Sequence, residues 1–316
     1  MEKRRLGNSD MDISRIGLGT WAIGGSWRYG WGHQEDKDSL ATIHRAVERG
    51  VNWIDTAAIY GLGHSEKVVG KALKELSVKP YVFTKCGLRW KTEDNPKREG
   101  FPILKAKSVR EEAENSLRRL DVEVIDLYQI HWPNPAGDIE EAWSEMAKLK
   151  KEGKVRWIGV SNHNVAQMER LRRIAPITSL QPPYNIINRM VEKAILPYCA
   201  ENDIGTIVYS PMNAGLLTGK MTRERVQSLP EDDWRKHDVN FNEPKFSRNM
   251  KIVEAVGRVA QSKGVSSAEI AVAWTLKNPA VTAAIVGMRR PDQVDSIMGA
   301  ADIELTSEDI REIEEA

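Results

Sequence analysis

The sequence predicts a single (β/α)8 barrel, an α/β fold, from three observations. The chain has 316 residues, enough for one large barrel or two modest domains. Short apolar runs alternate with amphipathic stretches of helical periodicity along its whole length. No Pro-, Gly- or Ser-rich linker divides it, so we expect one domain spanning residues 1–316 rather than a doubly wound sheet with a second domain.

Eight apolar runs are predicted to be the barrel strands. They occupy residues 15–20, 51–56, 81–85, 124–131, 155–161, 177–181, 204–210 and 282–287. Each is apolar on both faces, which is typical of parallel strands covered by helices. Before the first strand, the turn-like sequence of residues 8–10 predicts a small hairpin that closes the bottom of the barrel.

Helices are predicted between the strands, and their ends carry recognisable signals. The first four candidates cover residues 35–50, 65–76, 108–120 and 138–153. Ser108 and Glu111 match a capping box, which predicts that the third helix starts there. Gly50 and Gly153 follow cationic last turns and predict helix ends.

Three long connections are predicted to lie on the carboxyl-end face of the barrel. They follow strand one (residues 22–33), strand three (residues 86–101) and strand seven, where the connection reaches a helix near Phe246. Long connections in compact domains are uncommon and are often functional lids. Barrel active sites are built on this face.

Composition argues against several classes of function. There are 46 Lys and Arg against 45 Asp and Glu, with no basic cluster, so we expect no nucleic-acid partner. No signal peptide or membrane-length apolar run is present, and Cys86 and Cys199 cannot form a disulfide framework, so we expect a cytoplasmic protein without a membrane partner. No metal-binding motif occurs, and no obligatory protein partner is predicted.

Polar residues stand at the ends of most predicted strands. They are Asp55 with Tyr60 just beyond it, Lys85, His131, Ser161 with Asn162, Gln181, and Tyr209 with Ser210. A single such residue is usually a turn former or a helix cap. In a closed barrel, however, these positions converge on one mouth, so the series predicts a site.

Four of these residues have complementary chemistry. The phenol of Tyr60 is a weak acid with an ordinary pKa of about 10, and an adjacent Lys85 ammonium is expected to lower that pKa. A buried Lys85 needs a counter-ion, which Asp55 can supply. His131 can orient a substrate oxygen as a neutral donor. Together they suit protonation of a developing alkoxide, one half of carbonyl reduction.

The remaining strand-end residues suit a flat ring that carries a carboxamide. Ser161, Asn162 and Gln181 can hydrogen-bond the amide, and Tyr209 offers a stacking face. This combination describes nicotinamide.

Aromatic residues in the mouth-side loops are expected to wall an apolar-to-amphipathic substrate pocket, although they could instead cap the core. They are Trp21, Trp27, Trp31, Trp90 and Trp132. Cys86 is expected to point away from Lys85 as a buried spectator, with a nucleophilic thiol as the alternative.

Several motifs in register resemble those of the aldo-keto reductases. They are GLGTW (17–21), IDTAAIYG (54–61), TKCG (84–87), DLYQIHWP (126–133), IGVSNH (158–163), LQPPYN (180–185), YSPMNAGLLTGK (209–220) and IVGMRRPDQVDS (285–296). The resemblance covers nearly the whole chain. It implies Tyr60 as general acid, Lys85 and Asp55 as the pair that tunes it, and His131 as carbonyl orienter. Hydride would pass directly from the nicotinamide to an aldehyde or ketone, without a metal.

The resemblance also implies the cofactor and substrate contacts. The implied cofactor contacts are Gly19, Thr20, Trp21, Asp55, Ser161, Asn162, Gln181, Tyr209, Ser210, Pro211, Met212, Gly215, Leu216, Lys220, Arg235, Gly287, Arg289 and Gln293. The implied substrate contacts are Trp21, Tyr60, Trp90, His131 and Trp132.

One motif near the end of the chain bears on cofactor choice. Many family members hold the 2′-phosphate of NADP with a lysine and an arginine at the positions of Gly287 and Gln293. The pattern Gly287, Arg289, Gln293 resembles instead the bacterial general-stress reductases and the potassium-channel β-subunits. It implies NADP(H) with Arg289 as phosphate ligand.

The branch resemblance leaves a second function open: a nucleotide-sensing binding module with little turnover. A metal-dependent barrel hydrolase is a third possibility.

Overall fold

The barrel predicted from the sequence is confirmed by a computed structural model, which describes residues 1–91, 99–231 and 233–316. The strands are β1 Lys3–Arg5, β2 Asp12–Ser14, β3 Ile16–Gly19, β4 Trp53–Asp55, β5 Tyr81–Cys86, β6 Leu88–Arg89, β7 Phe101–Pro102, β8 Ile125–Ile130, β9 Val155–Ser161, β10 Ser179–Gln181, β11 Gly205–Val208 and β12 Ala283–Gly287. Eight of them form a closed parallel barrel in the order β3-β4-β5-β8-β9-β10-β11-β12, with β12 pairing back to β3. These eight correspond to the eight predicted apolar runs.

Helices surround the barrel and bury the outer faces of its strands. They are α1 Asp36–Glu48, α2 His64–Glu75, α3 Ala106–Leu120, α4 Ile139–Lys151, α5 Val165–Arg172, α6 Ile195–Glu201, α7 Arg223–Gln227, α8 Lys245–Lys263, α9 Ser267–Leu276, α10 Pro291–Asp295 and α11 Ser307–Glu314. As predicted, Gly50 and Gly153 follow α1 and α4 with φ of 91° and 77°, a backbone region that favours glycine.

The capping box predicted at Ser108 is wrong. Helix α3 begins at Ala106, with Lys105 as its N-cap residue. Ser108 lies inside the first turn, where its hydroxyl donates to the carboxylate of Glu112 at 3.0 Å. Glu111 instead accepts from Arg89 at 2.8 Å. Both side chains therefore bond to residues other than the helix N-terminus. For this reason the Ser108–Glu111 pattern does not mark the start of α3.

The predicted N-terminal hairpin is present and plugs the bottom of the barrel. Strands β1 and β2 pair antiparallel. Leu6, Met11 and Ile13 are fully buried against Trp53 and Phe83, in a cluster separate from the larger core between barrel and helices. The bottom of the barrel is thus filled by apolar side chains.

The strand register places the carboxyl ends of the strands side by side. Gly19 on β3 lies opposite Gly287 on β12 and opposite Asp55 on β4. Across the barrel, Gln181 on β10 lies opposite Ser161 on β9. The positions predicted to converge therefore share one rim.

The long mouth-side connections contain short regular elements. The connection after β11 holds three 3₁₀ turns, Asn213–Thr218, Trp234–His237 and Val239–Phe241, as well as α7. The connection after β5 contains the β6–β7 hairpin, and residues 92–98 of it lie outside the described residues. Among the residues that are described, no helix is long and apolar enough to cross a membrane.

Gly7 provides a test of the hairpin plug. It has φ of 48°, and a Cβ there would lie 2.4 Å from the carbonyl oxygen of Thr178 and 2.5 Å from the amide nitrogen of Gly205. We expect Gly7→Ala to lower the free energy of unfolding by about 2 kcal/mol or more, because both strain and a backbone clash oppose the methyl group. Urea denaturation measures this change.

The matched control is Gly257→Ala in α8, where nothing lies within 4 Å of the added Cβ. That variant should be as stable as the wild type, or more stable by up to about 1 kcal/mol, since alanine favours helix. Equal effects of the two substitutions would contradict the plug.

Candidate active site

A buried ion pair lies at the floor of the barrel mouth. Lys85, near the end of β5, donates from Nζ to Asp55 Oδ1 at 2.6 Å and to the carbonyl oxygen of Thr56 at 2.8 Å. Both charged side chains are almost completely buried. Burial lowers the pKa of Lys85 from its ordinary value, and the Asp55 carboxylate opposes that shift.

Tyr60 reaches this pair from the turn that follows β4. Its hydroxyl lies 3.5 Å from Lys85 Nζ, which in turn is 5.2 Å from the centre of the phenol ring. Burial, and next the negative charge of Asp55, raise the pKa of Tyr60 well above its ordinary value. The expected lowering of the Tyr60 pKa by Lys85 is therefore not found, because burial and next the Asp55 carboxylate favour the neutral phenol.

His131 completes the predicted group of four. Its ring centre lies 5.8 Å from that of Tyr60, and the two planes are nearly perpendicular at 77°. Burial, and then the positive charge of Lys85, lower the pKa of His131 well below its ordinary value. The imidazole is therefore neutral near pH 7 and can donate a hydrogen bond without adding charge.

The residues predicted to hold a carboxamide lie together on the neighbouring strands. Ser161 Oγ donates to the carbonyl oxygen of Gln181 at 2.8 Å, and Asn162 Nδ2 donates to Ser161 Oγ at 3.0 Å. The hydroxyl of Tyr209 donates to Asn162 Oδ1 at 2.8 Å. Asn162 has a left-handed φ of 62°, an unusual backbone conformation of the kind found at functional sites.

Gln181 connects the predicted carboxamide partners with the Lys85–Asp55 ion pair. Its Nε2 donates to Asp55 Oδ2 at 2.8 Å. Since a carboxylate can only accept, this bond fixes which end of the amide faces Asp55 and leaves Oε1 available as an acceptor. The amide group and the ion pair are thus in direct contact.

These residues surround a cavity of about 630 Å³ that opens at the mouth. The predicted residues that line it are Gly19, Trp21, Asp55, Tyr60, His131, Trp132, Ser161, Asn162, Gln181, Tyr209, Ser210, Pro211, Met212, Gly215, Gly287, Arg289 and Gln293. This size lies within the range of small-molecule and cofactor sites.

Five predicted contact residues do not line the cavity. Thr20 is buried beneath it and donates to the carbonyl oxygen of Asp55 at 3.1 Å, and Leu216 is buried in the core. Lys220 is exposed. Trp90 stacks against the guanidinium of Arg119 at 5.5 Å. The fifth residue, Arg235, lies over a tryptophan at the mouth.

The mouth is walled by indole rings. Trp21, Trp27 and Trp31 line it, as predicted, together with the half-exposed Trp132. Trp234, which the sequence reasoning missed, stacks on Trp21 with ring centres 5.6 Å apart. Trp234 lies in the long connection after β11, which the sequence predicts to be a lid. That location could have identified it as a residue of the mouth.

The indole nitrogens divide into two groups. Among the described residues, the buried Nε1 atoms of Trp21, Trp27, Trp31 and Trp234 have no hydrogen-bond partner. Tryptophans of the barrel and its helices do have one, for example the Nε1 of Trp53, which donates to Ser14 at 2.9 Å. Buried indole N–H groups normally donate a hydrogen bond. These four N–H groups at the mouth are therefore available as donors.

Arg289 ties the end of β12 to the connection after β3. Its guanidinium donates to Gln34 Oε1 at 2.6 Å, to the carbonyl oxygen of Trp31 at 3.0 Å and to that of His33. Arg235 lies 4.4 Å above the ring of Trp31. Burial, and then the charges of Arg235 and the adjacent Arg290, lower the pKa of Arg289. Arg235 is paired with the carboxylate of Asp233 at 2.6 Å, whereas the partners of Arg289 named above are neutral oxygens, so Arg289 offers the more favourable place for an anion.

The backbone after β11 offers further donors. Ser210, Asn213 and Ala214 have left-handed φ of 57°, 45° and 53°, and Gly215 has φ of 90°. Successive amides in such conformations form anion-binding concavities. These donors lie on the same rim as the predicted carboxamide partners and the ring of Tyr209.

Two observations bear on the alternatives of a nucleophilic thiol and a metal site. Cys86 is buried in the outer core, and burial raises the pKa of its thiol well above the ordinary value. Within residues 1–91, 99–231 and 233–316, no group of three or more His, Cys, Asp or Glu side chains could hold a metal ion.

Comparisons with known proteins agree on one family. A model described as the Aldo/keto reductase family matches residues 15–316. Aldo-keto reductase YhdN of Bacillus subtilis is 41% identical over 316 residues, which cover 99% of this chain and 92% of that protein. The NADH-specific methylglyoxal reductase of Escherichia coli is 34% identical over 330 residues, covering 100% and 99%.

Solved structures give the same result. The glycerol dehydrogenase AKR11B4 from Gluconobacter oxydans superposes with a TM-score of 0.91 at 40% identity, covering 99% of this chain and 94% of that one. The aldo-keto reductase AKR11C1 from Bacillus halodurans gives 0.78 at 25% identity, covering 100% and 96%.

His163, beside the site, yields a prediction on stability. Its Nδ1–H donates to the carbonyl oxygen of Ser161 at 2.8 Å, while its Nε2 is buried without a partner. Burial lowers the pKa of His163 from 6.5 to about 4. Between these values the unfolded chain binds more protons, so the free energy of unfolding should fall by up to about 3 kcal/mol as pH drops through this window.

Urea denaturation across this pH range should show a shallower loss of stability in His163→Leu than in the wild type. His237→Gln, which changes an exposed histidine whose ring contacts the carbonyl oxygen of Glu231, should keep the wild-type slope. Parallel curves for wild type and His163→Leu would show that His163 does not titrate as described.

Proposed function

The chain belongs to the aldo/keto reductase family, and on this premise we propose that it reduces aldehydes or ketones with NADPH, reversibly. The observation that carries the proposal is the contact between Tyr60 and the buried Lys85–Asp55 pair, beside His131 and at the floor of the cavity. These are the groups required to protonate a carbonyl oxygen as its carbon is reduced.

The proton would come from Tyr60. Because the pKa of Tyr60 is raised, the phenol is protonated near pH 7 and has a proton to give. Once it has given that proton, the Lys85 ammonium, 3.5 Å away, stabilises the phenolate that forms. The neutral His131 orients the carbonyl oxygen toward Tyr60 by a hydrogen bond.

The cofactor would lie across the rim with its carboxamide against Ser161, Asn162 and Gln181 and its ring against Tyr209. The bound, reduced nicotinamide supplies the hydride. The backbone of residues 210–215 suits the pyrophosphate, because several of its residues are left-handed. Thr20 and Leu216 support this surface from beneath, and Lys220 is proposed as an outer contact.

The preference for NADPH rests on Arg289, because the charge of the nearby Arg235 is compensated by its ion pair with Asp233. A fork of N–H donors suits a 2′-phosphate. The relative from E. coli is named as NADH-specific, so family membership alone does not decide this point.

The substrate is proposed to be a small carbonyl compound or alcohol, held between Trp21 and Trp132 above Tyr60 and His131. The ring of Trp90 packs on Arg119, so we propose that Trp90 affects the substrate only through its neighbours. Two buried free cysteines suit a reducing cytoplasm. The competing proposal, a nucleotide-sensing module, shares the same binding surface and differs only in turnover.

Tyr60→Phe tests the catalytic proposal. It should lower kcat for aldehyde reduction by about 100-fold or more, because the proton donor is removed. Its Kd for NADPH, measured by fluorescence titration, should stay near that of the wild type.

The control is Tyr81→Phe, at the opposite end of the strand that carries Lys85. This variant should turn over like the wild type. Unimpaired reduction by Tyr60→Phe would defeat the reductase assignment. Tight NADPH binding by the wild type, with negligible turnover of a panel of aldehydes, would favour the sensor.

Arg289→Gln tests the cofactor preference. If Arg289 holds the 2′-phosphate, the Kd for NADPH should rise by about 10-fold to 100-fold, while that for NADH changes little. Its neighbour Arg290, which is exposed and paired with Asp292, provides the control Arg290→Gln, expected to leave both constants unchanged. Equal weakening of NADPH and NADH by Arg289→Gln would show that this residue only anchors the connection after β3.

A further inference from the structure

Gln129 is a fully buried amide on β8, outside the group of four and the carboxamide partners. It pairs in register with Lys85 on the adjacent β5, so both side chains face the barrel interior. Gly159 is paired with it on β9, where a Cβ would lie 2.3 Å from Ser179 Oγ and in ordinary contact, at 3.4 Å, with Gln129 Cγ. A buried amide requires partners for both its N–H and its oxygen.

Both partners belong to the site. Gln129 Nε2 lies 3.5 Å from Asp55 Oδ2, the oxygen that also accepts from Gln181 Nε2 at 2.8 Å. Gln181 Nε2 is in turn 3.5 Å from Gln129 Oε1. The two amides and the carboxylate oxygen thus form a closed triangle.

The triangle fixes the orientation of every group in it. Asp55 can only accept, so both glutamines turn their NH₂ groups toward it. The second N–H of Gln181 then finds Gln129 Oε1. Without Gln129, that N–H loses its acceptor and Asp55 Oδ2 loses a donor, so of these two contacts the Gln181 amide keeps only its bond to Asp55 and its position is less restricted.

We propose that Gln129 is a positioning residue that holds Gln181 and Asp55 in register and thereby couples recognition of the nicotinamide amide to the proton-donating group. The inference rests on the proposed function, because it takes Gln181 as a carboxamide contact. Gln129 acts through its two neighbours.

The test compares two probes that differ only at the nicotinamide end. NADP⁺ carries the ring and its amide, whereas 2′-phospho-ADP-ribose lacks them. In Gln129→Met, which keeps the volume but removes the amide, the Kd for NADP⁺ should rise by about 5-fold, the value of one net hydrogen bond. The Kd for 2′-phospho-ADP-ribose should not change. Isothermal titration calorimetry on the full chain gives both constants without turnover.

Gln129→Glu adds a signature that a packing defect would lack. When protonated, the new carboxyl supplies one O–H donor for Asp55 and one carbonyl acceptor for Gln181, the two contacts that the amide makes in the triangle. When ionised, it faces Asp55 across 3.5 Å, with Lys85 as the nearby cation and Tyr60 and His131 above. The ratio of the two Kd values should therefore be near that of the wild type at low pH and rise about 5-fold at high pH. Because both probes carry the 2′-phosphate, its titration affects both Kd values alike and does not change their ratio.

Ser179→Ala is the matched control. Ser179 is buried beside the same Gly159 and its hydroxyl has no partner among the described residues, so the ratio should match the wild type at every pH. Equal weakening of both probes by Gln129→Met, or a ratio in Gln129→Glu that does not vary with pH, would overturn the inference. Failure of the wild type to bind NADP⁺ at all would instead overturn the proposed function.

Discussion

The buried contact between Lys85 and Asp55 is the interaction on which the rest of the site depends. Removing an ammonium from water costs several kcal/mol unless a counter-charge and further hydrogen bonds compensate for it. Here Asp55 Oδ1 at 2.6 Å and the carbonyl oxygen of Thr56 at 2.8 Å supply both. Tyr60 contacts Lys85, and Gln181 contacts Asp55. The geometry of the pair therefore determines where the Tyr60 phenol and the Gln181 amide lie.

Closure of the barrel makes this pair possible. Asp55 and Lys85 end adjacent parallel strands, while Gln181 reaches Asp55 from the other side of the barrel. The hairpin fills the opposite end of the barrel with apolar side chains. Burial, and next the negative charge of Asp55, explain why Tyr60 remains protonated near pH 7. When the phenol gives up its proton, the Lys85 ammonium 3.5 Å away is the positive charge placed to stabilise the phenolate.

Much of the fold and the centre of the site could be predicted from the sequence, because parallel strands are continuous apolar runs whose ends share one rim. Asp55, Lys85 and His131 stood out as polar residues at such ends. Other features depend on tertiary partners that no local pattern specifies. The hydroxyl of Ser108 turned to Glu112 instead of capping α3, and Gln129 is an inward-facing residue within a strand, two positions before the strand end that drew attention to His131. Likewise, Trp234 stacks on Trp21 because the connection after β11 folds back over the barrel mouth.

We propose that Tyr60 protonates a carbonyl oxygen while a nicotinamide bound beside it would supply hydride directly to the carbonyl carbon. The decisive experiment follows deuterium from NADPH labelled at C4 of the nicotinamide, with the product alcohol analysed by mass spectrometry and NMR. We expect one deuterium on the carbinol carbon when the labelled face is the reactive one, and none when the opposite face carries the label. Alcohol free of deuterium from both labelled forms, or deuterium taken up at that carbon from heavy water, would contradict it.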